Sequence, residues 1–428
     1  MKNFQLILLI VFIAAAAFGL LVFSGMIPLG SNKDSAGGGG TVVLWGTISQ
    51  QAIFVPLDDF NHANPRFIVQ YVQKDPVTFD QDLLEALASG VGPDLFFLPD
   101  NLIFHYSKRI STIPYQSFPL ASFKSTFAGA GEVFLTSKGI LALPLFIDPL
   151  VMYYNRSILD SNNIVNPPVT WDELQNLAPI LTKKDQNKKI IKSTVALGQF
   201  SNITHAKDII STLFMQAGNP IINEKEGSFS SALRDGTVDL GAILKFYTDF
   251  SDPVNGVYSW NKSLPESINF FSSEDLAFYF GYASELSSLI NRNPNENFSV
   301  APIPQLKNSN IKMTFGRTTG VAMSSFSKNP TGAFSVMGLL TTGVFAKELS
   351  VALNTVPARR DLLAVKNTDA YFPIFYSSAL IARSWLDPSP KDTDDIFRGM
   401  VEKVLSNNLA PSNSVNDASA KLGLLLAK

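Results

Sequence analysis

Cysteine is absent from all 428 residues, which excludes disulfides, thiolate metal sites and a cysteine nucleophile. Histidine is scarce: His62, His105 and His205 stand far apart, with no H-E-x-x-H spacing. A surface or packing role is the expectation for each, and no metal site is expected. An excess of charge is missing too. A formal net charge of −2 does not match a phosphate backbone, so no nucleic-acid partner is expected. Nor is there a G-x-S-x-G elbow, a phosphate-binding glycine loop or a zincin motif. The paired acids Asp58-Asp59, Glu274-Asp275 and Asp394-Asp395 each fall on a helix or helix start in the sequence reading. Adjacent helical residues diverge by about 100°, so none of the three pairs can flank one glycosidic bond. Catalysis is disfavoured, and no cofactor is expected.

One long hydrophobic run is present. Phe4 to Phe23 is apolar except for Gln5. Twenty helical residues span about 30 Å, a bilayer's hydrocarbon thickness, whereas a cleaved signal has an apolar core of about 7–15 residues. The reading is a transmembrane signal-anchor over 1–25, with Lys2 on the cytoplasmic side. Cleavage near Ser24-Gly25, releasing the remainder, is the alternative. Residues 26–40 end in four glycines and read as a flexible linker.

Beyond it, Thr41 to Trp45 and Phe67 to Val72 read as strands. Ile48 to Asn61 has helical spacing broken by Pro56. Thr78 with Gln81 opens a helix running to Gly90, and Pro93 to Leu98 is a third strand before Asp100-Asn101. Alternating strands and helices with short links predict a parallel sheet covered on both faces, with ligands beyond the carboxyl ends of its strands. Trp45 to Ser49 and Asp100-Asn101 lie at two such ends.

The most informative run is Gly139 to Leu174. An apolar segment with Pro144 meets Asp148-Pro149, then a second apolar segment with Tyr153-Tyr154-Asn155. Thr170-Trp171-Asp172-Glu173 closes it as a capping box. An acid wedged between apolar runs must be paired or used, which makes Asp148 the leading site residue. Further on, Lys183 to Lys192 reads as a solvated loop and Thr194 to Phe200 as a strand with Gln199 at its end. Phe270 to Asp275 reads as a helix start capped by Ser272. Phe298 to Pro304 is a strand, Gly316 to Ala322 follows it, and Asn329-Pro330 opens a helix. Asp394 to Leu405 and Val415 to Leu425 read as amphipathic helices. Trp171 and Trp260 read as packing residues, while Trp45 and Trp385 could line a site.

The ordered set G-x-x-A-L-P … D … Y-Y-N … P-x-T-W-D-E-L closely resembles family 1 extracellular solute-binding proteins, the group that includes maltose-binding protein. Phe60 to Pro65, Ala86 to Asp94, Ser327 to Pro330 and Pro357-Ala358-Arg359 extend the resemblance over about 41–428. It implies an α/β, two-lobed periplasmic-binding-protein-like fold of type II, with discontinuous lobes joined by hinge strands. Lobe 1 would comprise 41–147 plus 304–355, and lobe 2 148–303 plus 356–428. It further implies capture of a sugar between the lobes and delivery to the permease subunits of an ABC importer, with a monomer expected. Sugar contacts would come from Trp45, Ser49, Asp100, Asn101, Asp148, Gln199, Tyr282, Arg317 and Trp385. The family's "F-x-x-G-k-a-A-M" has Glu274 and Asp275 in place of its glycine and lysine, and Tyr282 in place of its stacking Trp. A non-sugar solute (a polyamine, a phosphate ester, or ferric ion through Tyr153-Tyr154), an extracellular glycosidase and a ligand-sensing module are the competing readings.

Overall fold

A computed structural model describes residues 39–427, except 226, 235 and 237. The anchor expected over 1–25 and nearly all of the linker lie outside the described residues. Among those described, no single helix is long and apolar enough to cross a bilayer.

Eleven strands form the main sheet, numbered in chain order: β1 (Gly40–Gly46), β2 (Phe67–Gln73), β3 (Leu95–Pro99), β4 (Ala142–Asn155), β5 (Lys183–Lys184), β6 (Ile190–Val195), β7 (Leu276–Tyr282), β8 (Phe298–Ala301), β9 (Thr314–Met323), β10 (Val356–Pro357) and β11 (Ala382–Arg383). Their order is β2-β1-β3-β9-β4-β7-β6-β5, with β8 and β10 also on β4 and β11 on β9. β2, β1 and β3 run parallel, as the strand–helix alternation predicts, but β9 is antiparallel to both β3 and β4. The sheet is mixed.

The 14-residue β4 is shared between two halves of this sheet. Ala142 to Pro149 pairs with β9, and Leu150 to Asn155 pairs with β7 and β8. The partner changes immediately after Asp148-Pro149. Every residue of β4 except Asp148 and Tyr154 is buried, the mark of a strand covered on both faces. The result is a two-lobed α/β body.

Helices of nine or more residues are α1 (Gln50–Ala63), α2 (Phe79–Ala88), α3 (Trp171–Leu181), α4 (Ala206–Gln216), α5 (Leu240–Asp249), α6 (Pro330–Thr341), α7 (Val344–Ala352), α8 (Phe372–Ile381), α9 (Pro390–Leu405) and α10 (Pro411–Leu426). α6 and α7 pack with α1 and β1, whereas α9 and α10 pack with α5. The predicted amphipathic helices near the carboxyl terminus therefore cover the half away from β1.

Several local signals act as their chemistry dictates. The Glu173 amide donates to the Thr170 hydroxyl at 3.3 Å, and the Glu173 carboxylate reaches back to the Val169 amide at 2.8 Å, one residue earlier than a strict box. Asn329 caps α6 by accepting from the Gly332 amide at 3.0 Å. Asp94 accepts from the Val43 amide and the Ser327 hydroxyl, tying β1 to the start of α6. Trp171 and Trp260 are buried, with indole N–H groups donating to Gln216 and Asn202.

Three local readings need correction. Pro56 does not break α1; it sits inside the helix with its ring on the buried face, where packing outweighs one lost backbone bond. Thr78 precedes α2, but its hydroxyl donates to Asp82 instead of accepting from the backbone. Ser272 ends a short helix (Ser267–Ser272) instead of starting one. Glu274 then turns with φ +61° into the wholly buried β7, because the continuous apolar run Leu276–Phe280 outweighs the acidic cap signal.

Candidate functional site

The strand change on β4 opens a cleft of about 980 Å³, near the top of the usual range for small-molecule sites. Three chain segments build its floor. β3 ends at Pro99, so Asp100 emerges beyond a carboxyl end. Asp148 stands at the partner change on β4. Arg317 lies directly opposite Asp148 on β9, and cross-strand partners share a face. The loop before α4 with its first turn, Ser201 to Asp208, forms one wall, and Ser384 to Arg398, running into the start of α9, forms another.

Asp100 is 6% exposed. Its Oδ2 accepts from the Thr318 amide at 3.1 Å and the Ser384 hydroxyl at 2.6 Å. Burial pushes its carboxyl up to about 6, against those hydrogen bonds and the charge of Arg317. Asp148 accepts from the amide and hydroxyl of Ser284, at 3.0 and 2.6 Å. It too is pushed up to about 6 by burial, opposed by these bonds and Arg317. Asp208 behaves differently. Burial opposes its charge, but Arg317, His205 and the Tyr282 hydroxyl outweigh burial and hold it below the ordinary carboxylate range.

Arg317 is the hub. Its Nη2 donates to Asp208 at 3.0 Å and approaches the His205 ring at 3.4 Å, while the guanidinium lies 3.9 Å from the centre of the Tyr282 ring. Its side chain is half open to the solvent filling the cleft, although protein surrounds the cleft itself. Desolvation works against the cation, and Tyr282, Asp208, Asp148 and Asp100 together more than offset it. Behind Arg317, the His205 ring hydrogen-bonds Glu285, which also accepts from Tyr279 at 2.7 Å.

Of the residues expected to contact solute, Asp100, Asn101, Asp148, Arg317 and Trp385 line this cleft. Trp385 presents only an edge: it is 7% exposed and stacks on Phe397. Trp45, Ser49, Gln199 and Tyr282 are not among the lining residues. β1 is separated from β9 by β3, so Trp45 lies a full strand away from the floor and packs under the Lys74 ammonium at 3.8 Å. Ser49 caps α1, accepting from the Ala52 amide. β6 ends at Val195, earlier than expected, which leaves Gln199 in the following loop with its carbonyl accepting from Tyr247. Tyr282 is 1% exposed, one ring face under Arg317 and its hydroxyl on Asp208 at 2.6 Å, so it props the floor from behind.

The sequence reading missed His205, Lys207, Asp208, Ser284 and Ser384. His205 adopts φ +62° immediately before α4, a left-handed turn for which the sequence shows no glycine or asparagine as a signal. The ferric reading finds no support in the geometry. Tyr153 is fully buried with its hydroxyl donating to the Tyr282 carbonyl, and among the described residues no acid, histidine or cysteine cluster could hold a metal.

Comparison with known proteins adds a family to this geometry. A binding protein of Brucella abortus strain 2308 is 23% identical over 430 residues, covering 96% of this chain and 98% of its own. Among solved structures, a cyclo/maltodextrin-binding protein complexed with maltotetraose superposes with a TM-score of 0.71 at 17% identity, covering 91% of this chain and 97% of its own. The cyclic α-maltosyl-1,6-maltose-binding protein of Arthrobacter globiformis gives 0.72 at 13% identity, covering 90% and 98%. An ABC transporter solute-binding protein of Thermotoga lettingae TMO bound with α-D-tagatose gives 0.66 at 18%, covering 90% and 100%. At these identities the likeness is one of fold. The sequence family described as bacterial extracellular solute-binding protein matches residues 48–342, and the chain belongs to it.

Proposed function

We propose that this protein captures a carbohydrate in the cleft floored by Asp100, Asp148 and Arg317 and delivers it to the permease subunits of an ABC importer. The observation that carries this reading is the position of Asp148, at the residue where β4 leaves one half of the sheet for the other. Carboxylates there accept sugar hydroxyls, and an arginine donates to them. Solved relatives of the same fold hold maltotetraose and tagatose.

In this reading 41–147 plus 304–355 form one lobe and 148–303 plus 356–428 the other, in the discontinuous type II arrangement. β4, the segment after β8 and the approach to β10 cross between them. Solute contacts made from both sides stabilise the closed form by hinge motion, and closure changes the surface offered to the importer. Micromolar affinity would supply about 8 kcal/mol, more than a lobe equilibrium of a few kcal/mol requires. The apolar run from Phe4 to Phe23 supports a tether on the outer face of the cytoplasmic membrane, with the binding body working as a monomer.

Thermal unfolding of the protein across a panel of mono- and oligosaccharides tests the function. An upward shift with at least one member is expected. A flat panel would remove carbohydrate from consideration. Fractionation tests the tether: a fully soluble product lacking residues 1 to 25 would rule it out.

A further inference from the structure

Seven carboxylates but only four lysine or arginine side chains line the cleft. Three of those cations are already engaged: Lys207 with Asp387 at 2.8 Å, Arg317 with Asp208 at 3.0 Å and Arg398 with Asp394 at 2.7 Å. The fourth, Lys391, is exposed at the start of α9. Among the described residues, Asp100 and Asp148 are left on the floor with no ion pair of their own. Both share the field of Arg317, which Asp208 already neutralises.

Their oxygens are only partly used. Both hydrogen bonds to Asp100 go to Oδ2, and among the described residues Oδ1 has no partner. That oxygen is not sealed off, since the buried atoms without partners do not include it. Asp148 holds one hydrogen bond on each oxygen, both from Ser284, leaving a lone pair on each. Asp208 opposes the charge of Asp100, and Glu285 that of Asp148. Acids withdrawn from water and facing other acids gain most from a positive charge brought to them.

The aromatic side offers less. Phe146, Phe200, Phe315 and Trp385 line the cleft but are each under a tenth exposed, so their ring faces are covered by protein. The Tyr282 ring is covered by Arg317. Recognition here rests on charge and hydrogen bonds more than on stacking.

Resting on the carbohydrate reading above, we propose that the solute is an amino sugar, seated with its ammonium on the open lone pairs of Asp100 and Asp148. The ring hydroxyls then fall to Arg317 and Asn101. A sugar acid would enter a floor where carboxylates outnumber cations. A neutral sugar would leave Asp100 and Asp148 without a counter-charge of their own.

Calorimetric titration of the full-length protein in detergent separates these cases, using β-1,4-linked glucosamine oligomers, glucose oligomers and galacturonate oligomers of equal length, with spermidine as a non-sugar amine. Glucosamine oligomers should bind at least about tenfold more tightly than glucose oligomers at pH 7. Near pH 6 their binding should release protons, seen as heat that varies with the buffer. Asp100→Asn and Asp148→Asn should each erode the preference for the amine without weakening glucose oligomers to the same extent. Neutral or acidic oligomers binding as tightly as the amine would overturn the inference while the carbohydrate reading stood. Spermidine bound with every sugar refused, or no binding at all, would overturn both.

Discussion

Asp148 and Arg317 are cross-strand partners at the point where β4 changes neighbours, and Ser284, just beyond the end of β7, holds both oxygens of Asp148. Three segments distant in sequence thereby meet around one carboxylate, which bonds Ser284 and lies in the field of Arg317. Removing it should uncouple the site from the strand crossing. In Asp148→Ala the Ser284 amide and hydroxyl lose their acceptor and the solute loses a charged partner. A charge-assisted contact is worth about 1.5–3 kcal/mol, so affinity for any carbohydrate bound by the wild type should fall by about 10- to 100-fold. Titration calorimetry measures it directly, and unchanged affinity would place the solute elsewhere.

The two raised acids give stability a definite pH dependence. Between the ordinary aspartate range and about 6, the folded protein holds protons on Asp100 and Asp148 that the unfolded chain has released. Stability must therefore fall as pH rises through that window and level off above it. Arg317, Asp208, Glu285, Ser284, Ser384 and the Thr318 amide are the groups facing these acids. Asp208 and Glu285 are held low, burial being outweighed by Arg317 and His205 for the first and by His205, Tyr279 and Arg317 for the second. Their contribution is present above the ordinary carboxylate range and is lost only in stronger acid. Melting temperature without ligand should decline from pH 4.5 to 6.5, and Asp100→Asn should flatten the decline. A rising curve over that interval would contradict the assignment.

Glu296 extends the same slope to higher pH. It is 8% exposed, both carboxylate oxygens are buried without partners among the described residues, and burial pushes it up to about 8 despite the nearby Asn155 amide. The charge of Glu274 adds to the rise. Keeping a charge there costs stability as pH climbs towards 8. Glu296→Gln should stabilise the protein at pH 8.5 and have less effect at pH 5, which thermal melts at the two pH values can check.

Much of the scaffold was legible in the sequence because its signals are local. Val42 and Leu44 with β-branched neighbours give a strand, Thr170 with Glu173 caps a helix, and Asn329-Pro330 opens one. The floor of the cleft was only half legible. Asp148 stood out as an acid inside an apolar run, and Asp100 as a residue beyond a strand end. By contrast, Asp208 looks like any first-turn acid, and only the tertiary approach of Arg317 gives it a role. Trp45 failed as a cleft residue for a similar reason: strand order across a sheet is non-local, and β3 and β9 stand between β1 and β4. Tyr282 was expected to contact sugar, but Arg317 reaches its ring face from another strand.

That last contact makes Tyr282 a positioning residue. Its hydroxyl donates to Asp208 at 2.6 Å, and its ring backs the guanidinium. Tyr282→Phe keeps the ring and removes one hydrogen bond, worth about 0.5–1.5 kcal/mol, so affinity should fall only a few-fold. Tyr282→Ala also withdraws the support under Arg317 and should cost far more, in stability as well as affinity. Equal losses for both variants would mean that the hydroxyl itself touches solute.

Absence of cysteine turns the closure hypothesis into a clean measurement, since any introduced thiol is the sole site for a spin label. Val91 in the proposed first lobe is 66% exposed, and Val165 and Val254 in the second are 89% and 91% exposed, so labels at all three should leave packing intact. Two pairs, Val91→Cys with Val165→Cys and Val91→Cys with Val254→Cys, view the lobes along different directions. If β4 and its neighbours act as a hinge at Asp148-Pro149, saturating carbohydrate must shift the distance distribution of at least one pair. Asp148→Ala should need about 10- to 100-fold more carbohydrate to produce the same shift. A wild-type protein that binds carbohydrate with neither distribution moving would show that the cleft is filled without closing. The step between capture and delivery would then have to come from some change other than rotation of the lobes.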